Sequence, residues 1–325
     1  MTREMIRNVD HYIVFDLEWN QCPFGKEQEN KKIPFEIVEI GAVKLDKKKK
    51  IVGKFHRTIR PMVYKKLHFR TKEIIGMDIK TLEKGEFFYK VIKELLAWCG
   101  ANPGFATWGV TDLIELQRNM KYYGLLDLLE GPIRFFDVQK LFTLQYGDGK
   151  TRKALEYAID HLEIEKERDF HRALSDAYYT AGVLEKIEDE MIHRNYSIDV
   201  YQNPKSKEEE ILAVFDRYSK YISREFDSKE EAMRDDGVVA TKCFMCGKTF
   251  RKKVRWFASG PKNYHSALYC PIHGHLKGKI RMKKTEEGNF YVVKTLKLSD
   301  ENEVEMIRQK RDFLKKKRQE RRREV

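Results

Sequence analysis

Tyr12-Ile13-Val14-Phe15-Asp16-Leu17-Glu18 is an apolar run that closes on two carboxylates one residue apart. Aromatic and β-branched residues in such a stretch predict a buried strand, and side chains alternate across a strand. Asp16 and Glu18 therefore project from one face, about 7 Å apart at most. Like charges that close repel unless water or a cation lies between them, and hard divalent ions such as Mg²⁺ or Mn²⁺ take oxygen ligands. The stretch reads as half of a metal site at the end of a strand.

The pattern around it alternates strands and helices. Phe35 to Leu45 and Ile51 to Arg60 predict two neighbouring strands joined by the charged turn Asp46-Lys47-Lys48-Lys49-Lys50, whose lysines read as a solvated tip. Phe88, Val91, Ile92, Leu95, Leu96 and Cys99 recur at helical spacing and place Cys99 in a core. Gly104 to Trp108 and Ile133 to Phe136 predict short buried strands that each lead into a helix. That order is the signature of an α/β fold with a mixed sheet flanked by helices. Two further carboxylates lie at telling places. Asp112 falls where a strand gives way to a helix, the end of an α/β sheet where ligands bind, although alone Thr111 or Asp112 reads as a helix cap. Asp176 falls inside the Ala-rich helical run after Phe170, with His171 five residues earlier and off its helical face. For both to reach one site, His171 must precede the helix on an irregular stretch. Asp137, after Phe135-Phe136, reads as a helix cap.

In order, Phe15-Asp16-Leu17-Glu18, Glu39-Ile40-Gly41-Ala42-Val43, Trp108-Gly109-x-x-Asp112 and His171-x-Ala173-x-x-Asp176-Ala177 resemble the DnaQ-like 3′→5′ exonucleases of the DEDDh type, over about the first 190 residues. The likeness is greatest to the branch of Eri-like RNA exonucleases and the bacterial KapD protein. The resemblance implies a ribonuclease-H-like mixed sheet flanked by helices. It assigns binding of two Mg²⁺ or Mn²⁺ ions to Asp16, Glu18, Asp112 and Asp176, and the general base to His171. The chemistry suits those residue types. Phosphodiester hydrolysis needs stabilisation of both the entering and leaving oxygens, which two metal ions provide, and a neutral imidazole takes a proton at physiological pH. Many relatives carry a small hydroxyl residue after the first Asp-x-Glu, where this chain has Trp19. Trp19, Trp108 and Trp256 are candidate substrate-binding residues, Trp19 by stacking on a base or sugar or, equally, as a packed aromatic at a strand end.

Beyond Tyr196 the character changes. Residues 1–196 read as the exonuclease domain, 197–237 as a helical connector with an apolar stripe through Ile211, Leu212, Val214, Phe215, Tyr218 and Ile222, 238–298 as a zinc-ribbon-like β domain, and 299–325 as a basic tail. Cys243-x-x-Cys246 and Cys270-x-x-His273 have the pairing of tetrahedral Zn²⁺ ligands, with His265 and His275 as alternatives to His273. All four positions would be filled by protein, so the ion reads as structural. Basic residues from Lys248 to Lys284 interleave with Phe250, Trp256, Phe257, Tyr264 and Tyr269, which suits nucleic acid.

Composition agrees with a polyanionic partner: 64 Lys and Arg against 51 Asp and Glu give a formal charge of +13. No stretch approaches a membrane span, Met1 to Asp10 carry charges where a signal peptide needs an apolar run, and five cysteines fit a reducing compartment, so the expectation is a cytoplasmic protein with no membrane association. The sequence thus predicts a metal-dependent 3′→5′ exonuclease of single-stranded nucleic acid. Single-stranded RNA 3′ ends are favoured as its partner. The alternatives are a DNA exonuclease and a non-catalytic nucleic-acid-binding or assembly protein that uses the ribbon.

Overall fold

The computed structural model describes residues 9–323, which divide into two compact units, the first ending at Tyr201 and the second starting at Gln202. In the first, β1 (His11–Gln21), β2 (Phe35–Leu45) and β3 (Ile51–Thr58) form an antiparallel meander. Its turn is tied by Asp46, whose Oδ1 accepts the N–H groups of Lys48 and Lys50. Helices α1 (Phe69–Ile75), α2 (Ile79–Glu83) and α3 (Phe88–Cys99) lead to β4 (Pro103–Thr107), which pairs parallel with β1. After α4 (Thr111–Tyr122), β5 (Arg134–Asp137) pairs parallel with β4. Then α5 (Val138–Tyr146), α6 (Leu155–His161), α7 (Ala173–Lys186) and α8 (Asp189–Arg194) precede β6 (Ser197–Ile198), antiparallel to β5. The result is a six-stranded mixed sheet of order β3-β2-β1-β4-β5-β6, flanked by helices.

Alternation along β1 sorts the two faces. Ile13, Phe15 and Leu17 join one core with Val91, Ile92 and Leu95 of α3 and Leu113 and Leu116 of α4, and Cys99 lies in that core. Asp16 and Glu18 must then leave from the opposite face, the one on which α7 packs against β1 and β2. Asp137 caps α5 by accepting the Lys140 N–H.

The domain boundary read at 196 and the helical connector are corrected. β6 completes the first sheet, and the supposed amphipathic helix is a hairpin of β7 (Ile211–Val214) and β8 (Tyr218–Ile222). Buried Ala213 and Phe215, then Ser219 and Tyr221, follow a period of two across an exposed turn at Asp216 and Arg217, not the helical stripe. The short helices α9 (Lys229–Ala232) and α10 (Asp236–Val239) follow. Next come β9 (Lys252–Ala258), β10 (Asn263–Cys270), β11 (Gly274–Lys284) and β12 (Phe290–Leu298), and the sheet has the order β7-β8-β12-β11-β10-β9 with every pair antiparallel. The basic tail is the helix α11 (Glu301–Arg323), docked on this sheet. Its Val304 is buried with Val254 and Ala267, Lys277 pairs with Glu303, and Arg318 donates to the Ala258 carbonyl at 2.7 Å. Among the described residues no helix is long and apolar enough to cross a membrane.

Candidate active site and a thiol–imidazole cluster

Asp16 and Glu18 stand on β1 opposite Gly41 and Glu39 of β2, with an irregularity in the ladder just after Glu18. A Cβ at Gly41 would lie 2.1 Å from the backbone nitrogen of Leu174. The missing side chain lets the first turn of α7 rest directly on the sheet. That contact carries Asp176 to the β1 carboxylates, and Asp16, Glu18 and Asp176 offer oxygens within 4.8 Å of one another. Asp112 is not in that set. It is buried in the first turn of α4, where its own N–H and that of Leu17 face its carboxylate.

The acids raise one another's proton affinity. Burial, then the charges of Asp112, Glu18, Asp176 and Glu39, holds Asp16 well above the usual carboxylate range. Burial and the charges of Asp176, Glu39 and Asp112 push Glu18 up to about 8 against the opposing pull of Arg172. Burial takes Asp112 to about 7 despite the two backbone N–H groups, and Asp176 to about 6 despite the N–H and ring of His171. The Asp176 Oδ1 is buried with no hydrogen-bond partner among the described residues. An orphaned carboxylate oxygen among three converging hard donors fits a divalent cation.

His171 sits two residues before α7, exposed, at a left-handed φ of 62°. Its N–H donates to Asp176 Oδ2 at 3.2 Å, so the loop is tied to the acid cluster through the backbone while the imidazole stays free of that bond.

Two neighbours had no role in the sequence reading. Glu39 is wholly buried beside the acids and bridges His56 Nε2 at 2.6 Å and the Arg172 guanidinium at 3.1 Å. Burial alone would raise its pKa, but the His56 and Arg172 hydrogen bonds prevail and hold it lowered. It is the one acid of the group whose pKa is lowered and not raised, and its presence in Glu39-Ile40-Gly41-Ala42-Val43 was the available signal. Asn20, also wholly buried, donates to the Tyr64 and Lys66 carbonyls and accepts the His68 N–H, fixing the segment before α1 against the end of β1.

The three tryptophans differ in setting. Trp19 is half-buried against Phe35, with centroids 5.6 Å apart, as a packed strand-end aromatic would be. Trp108, beside Phe142, buries an indole Nε1 with no partner among the described residues. Trp256 donates its indole N–H to the Val239 carbonyl at 3.0 Å and lies over Gly278, so its ring is engaged in the core of the second unit.

In the second unit, Cys243 and Cys246 from the turn before β9 meet Cys270 at the end of β10 and His273 in the following turn. The Cys246 and Cys270 sulfurs are 3.8 Å apart, and His273 Nδ1 lies 3.5 Å from both Cys243 and Cys270. These are not disulfide distances. A tetrahedron with Zn–S bonds of about 2.3 Å has S···S edges of roughly 3.8 Å. His273 completes the group, whereas His275 packs on Tyr269 and His265 on Phe257. Burial raises Cys270, but the N–H groups of His273 and Ile272 and then the His273 ring prevail, leaving it at about 7. The soft and borderline donors fit zinc.

A mixed six-stranded sheet that presents paired carboxylates beneath the start of a helix, with a third acid from that helix, defines a ribonuclease-H-like domain carrying a cation-demanding acidic centre. The chain belongs to the exonuclease family (RNase T), whose model matches residues 13–184. Its fold is similar to the nuclease domain of 3′hExo, a DEDDh family member solved bound to rAMP, with 17% identity, TM-score 0.50, and coverage of 60% of this chain and 98% of that one. A full-length 3′-exonuclease aligns at 18% identity and TM-score 0.47 over 57% of this chain and 84% of that one. Cell-death related nuclease 4 aligns at 17% identity and TM-score 0.46 over 58% of this chain and 66% of that one, slightly under two thirds of its length. No curated protein matches the sequence significantly.

Proposed function

We propose that this chain is a divalent-metal-dependent 3′→5′ exonuclease that hydrolyses single-stranded nucleic acid. RNA is the favoured substrate, in keeping with the resemblance to the Eri-like and KapD-like branch. The observation that carries the reading is the meeting of Asp16, Glu18 and Asp176 within 4.8 Å, with an unpartnered Asp176 oxygen, in an exonuclease-family domain. Asp16, Glu18 and Asp176 hold the ions, two Mg²⁺ or Mn²⁺, with Asp112 supporting the cluster from its buried position. Bound ions lower the pKa of water and stabilise charge on the entering and leaving oxygens. His171 takes the proton from the attacking water at its imidazole, and the bond from its N–H to Asp176 keeps it at the edge of the acid cluster. Glu39 holds Arg172 and so fixes the residue between His171 and the start of α7.

Cys243, Cys246, Cys270 and His273 hold one structural Zn²⁺, and the basic, aromatic second unit binds the polynucleotide. Five cysteines with no disulfide among them suit a reducing cytoplasm. The test is Mn²⁺-dependent digestion of 5′-labelled single-stranded RNA and the matching DNA by the wild type, Asp16→Asn and His171→Ala. A ladder that shortens from the 3′ end and vanishes in both variants is expected. The RNA-to-DNA ratio decides the substrate. Retained binding without hydrolysis of either polymer would leave a binding protein instead.

A further inference from the structure

The docking of α11 creates a feature that neither the ribbon nor a free basic tail would have. Between α11 and the start of β9 lies a cleft of about 900 Å³. Lys252, Lys253 and Arg255 line it from β9, Arg311 and Lys315 from α11, and Phe250 is part of the lining. A second hollow of about 380 Å³ shares Arg311 and Lys315 and adds Arg318 and Arg322, so the basic lining continues along the helix. The acidic lining is Asp236 and Asp312, and Asp312 is already paired with Arg311 at 2.7 Å.

Cations set against cations across a concave surface repel, and concave walls concentrate the field they make. Lys252, Lys253, Arg255 and Lys315 form no ion pair among the described residues, so that field is not neutralised from within the second unit. Lys253 and Arg255 are exposed while Val254 between them is buried, which puts these two cations roughly 6.6 Å apart on one side of the strand, and Arg251 is exposed just before the strand begins. Regularly spaced charge suits a regularly charged polymer. Duplexes present phosphates on a broad convex surface, whereas a cleft with one aromatic ring admits a flexible single strand that lays phosphates on the walls and an unstacked base on Phe250. Helix α11 is held by buried Val304 and by Arg318 on the Ala258 carbonyl, so its wall exists before any ligand arrives.

We infer that the cleft between β9 and α11 is a preformed subsite for the phosphates of single-stranded nucleic acid, with α11 as one of its walls. The inference rests on the proposed nucleic-acid role of the second unit and locates it. The experiment is fluorescence anisotropy of the full chain with a labelled single-stranded RNA in a chelator-free buffer without added Mg²⁺ or Mn²⁺, across a salt series. The variants are Lys253→Glu with Lys315→Glu, and, as an equal change of charge outside the cleft, Lys47→Glu with Lys48→Glu in the exposed β2–β3 turn. The cleft variant is expected to lose at least tenfold in affinity, with the slope of log affinity against log salt falling by about 1.4, or about 0.7 for each lost phosphate contact. The Lys47/Lys48 variant should keep affinity within about threefold, and Lys253→Arg with Lys315→Arg should bind as the wild type does, which separates charge from misfolding. Equal losses in both glutamate variants, or none in the cleft variant, would overturn the cleft while leaving nucleic-acid binding intact. A wild type that fails to bind would overturn both readings. Displacement of the RNA by polyglutamate at equal charge concentration would reject a nucleic-acid site in favour of acidic protein segments.

Discussion

The acid cluster is a place where single residues oppose stability and chemistry. Glu18, Asp112 and Asp176 titrate in the folded protein at about 8, 7 and 6, above the 4.5 and 3.8 of free Glu and Asp, and Asp16 is raised with them. Without metal, the folded state therefore binds more protons than the unfolded state from about pH 4 to about pH 8, and its stability falls as pH rises through that window. Thermal melts of the metal-free protein are expected to show a lower midpoint at pH 8 than at pH 5.5. Added Mn²⁺ should raise the midpoint more at pH 8, where it has fewer ligand protons to displace than at pH 5.5. Removing one like charge should help the metal-free fold: Asp16→Asn is expected to gain at least about 1 kcal/mol at pH 8, about 2–4 °C, while losing hydrolysis. His171 separates backbone from side chain. Its φ of 62° disfavours any residue but glycine, so His171→Gly should melt above His171→Ala by about 1 kcal/mol. Both should lose roughly 10²–10⁴ in kcat if the imidazole is the base. A His171→Gly protein with activity near wild type would remove His171 from the mechanism.

At the scale of elements, the seat of α7 on β2 decides whether the acids meet. Gly41→Ala would place a methyl 2.1 Å from the Leu174 nitrogen, contact with backbone that no rotamer relieves. It is expected to destabilise the fold by about 1–3 kcal/mol, as overpacking does, and to cut Mn²⁺ affinity and kcat together by lifting Asp176 away. Gly182, on the same helix, has Ile164 side-chain carbons at 3.6 and 3.7 Å, an ordinary contact. Gly182→Ala should stabilise by about 0.5–1 kcal/mol with unchanged activity. Calorimetry with metal titration distinguishes the pair. What was legible in the sequence follows the same division. The three-strand meander, the Asp137 cap and the break before α7 are local patterns, written within a few residues. The consequence of Gly41 was not legible, because its neighbour Leu174 is far away in sequence. The hairpin β7–β8 was misread because Ile211, Leu212, Val214, Phe215, Tyr218 and Ile222 satisfy a helical spacing by chance. Their β-branched and aromatic character, and the polar pair Asp216-Arg217, were the better signal. The pairing of β8 with β12 depends on contacts some seventy residues apart that no local pattern encodes.

For the whole molecule, the two units ask different things of metal. In the first, an extensive apolar core forms around β1, α3 and α4, and the acids gain from cations only locally. In the second, the thiol–imidazole group joins the turn before β9 to the β10–β11 turn, amid a small core of Cys243, Phe244, Leu268, Cys270, Leu276 and Leu296. Structural zinc contributes about 10–16 kcal/mol in small metal-dependent folds, comparable with or larger than the stability of a whole domain, so its loss should be felt across that unit. Trp256 is the sole tryptophan after Tyr201, and its indole bond to the Val239 carbonyl makes its emission a reporter of the second unit alone. A chain freed of Trp19, Trp98 and Trp108 by Phe substitution should show that emission red-shifted when zinc is stripped, and in Cys246→Ser, which should also carry no zinc by mass spectrometry. The first unit should keep its own melting transition and its Mn²⁺-dependent shift, because none of its acids is a zinc ligand. Unchanged Trp256 emission in a demonstrably zinc-free protein would mean that the six-stranded sheet is held by its apolar contacts and the docked α11 alone. Binding to single-stranded RNA should fall with the same zinc dependence, since the basic wall on β9 follows directly from the turn that Cys243 and Cys246 anchor.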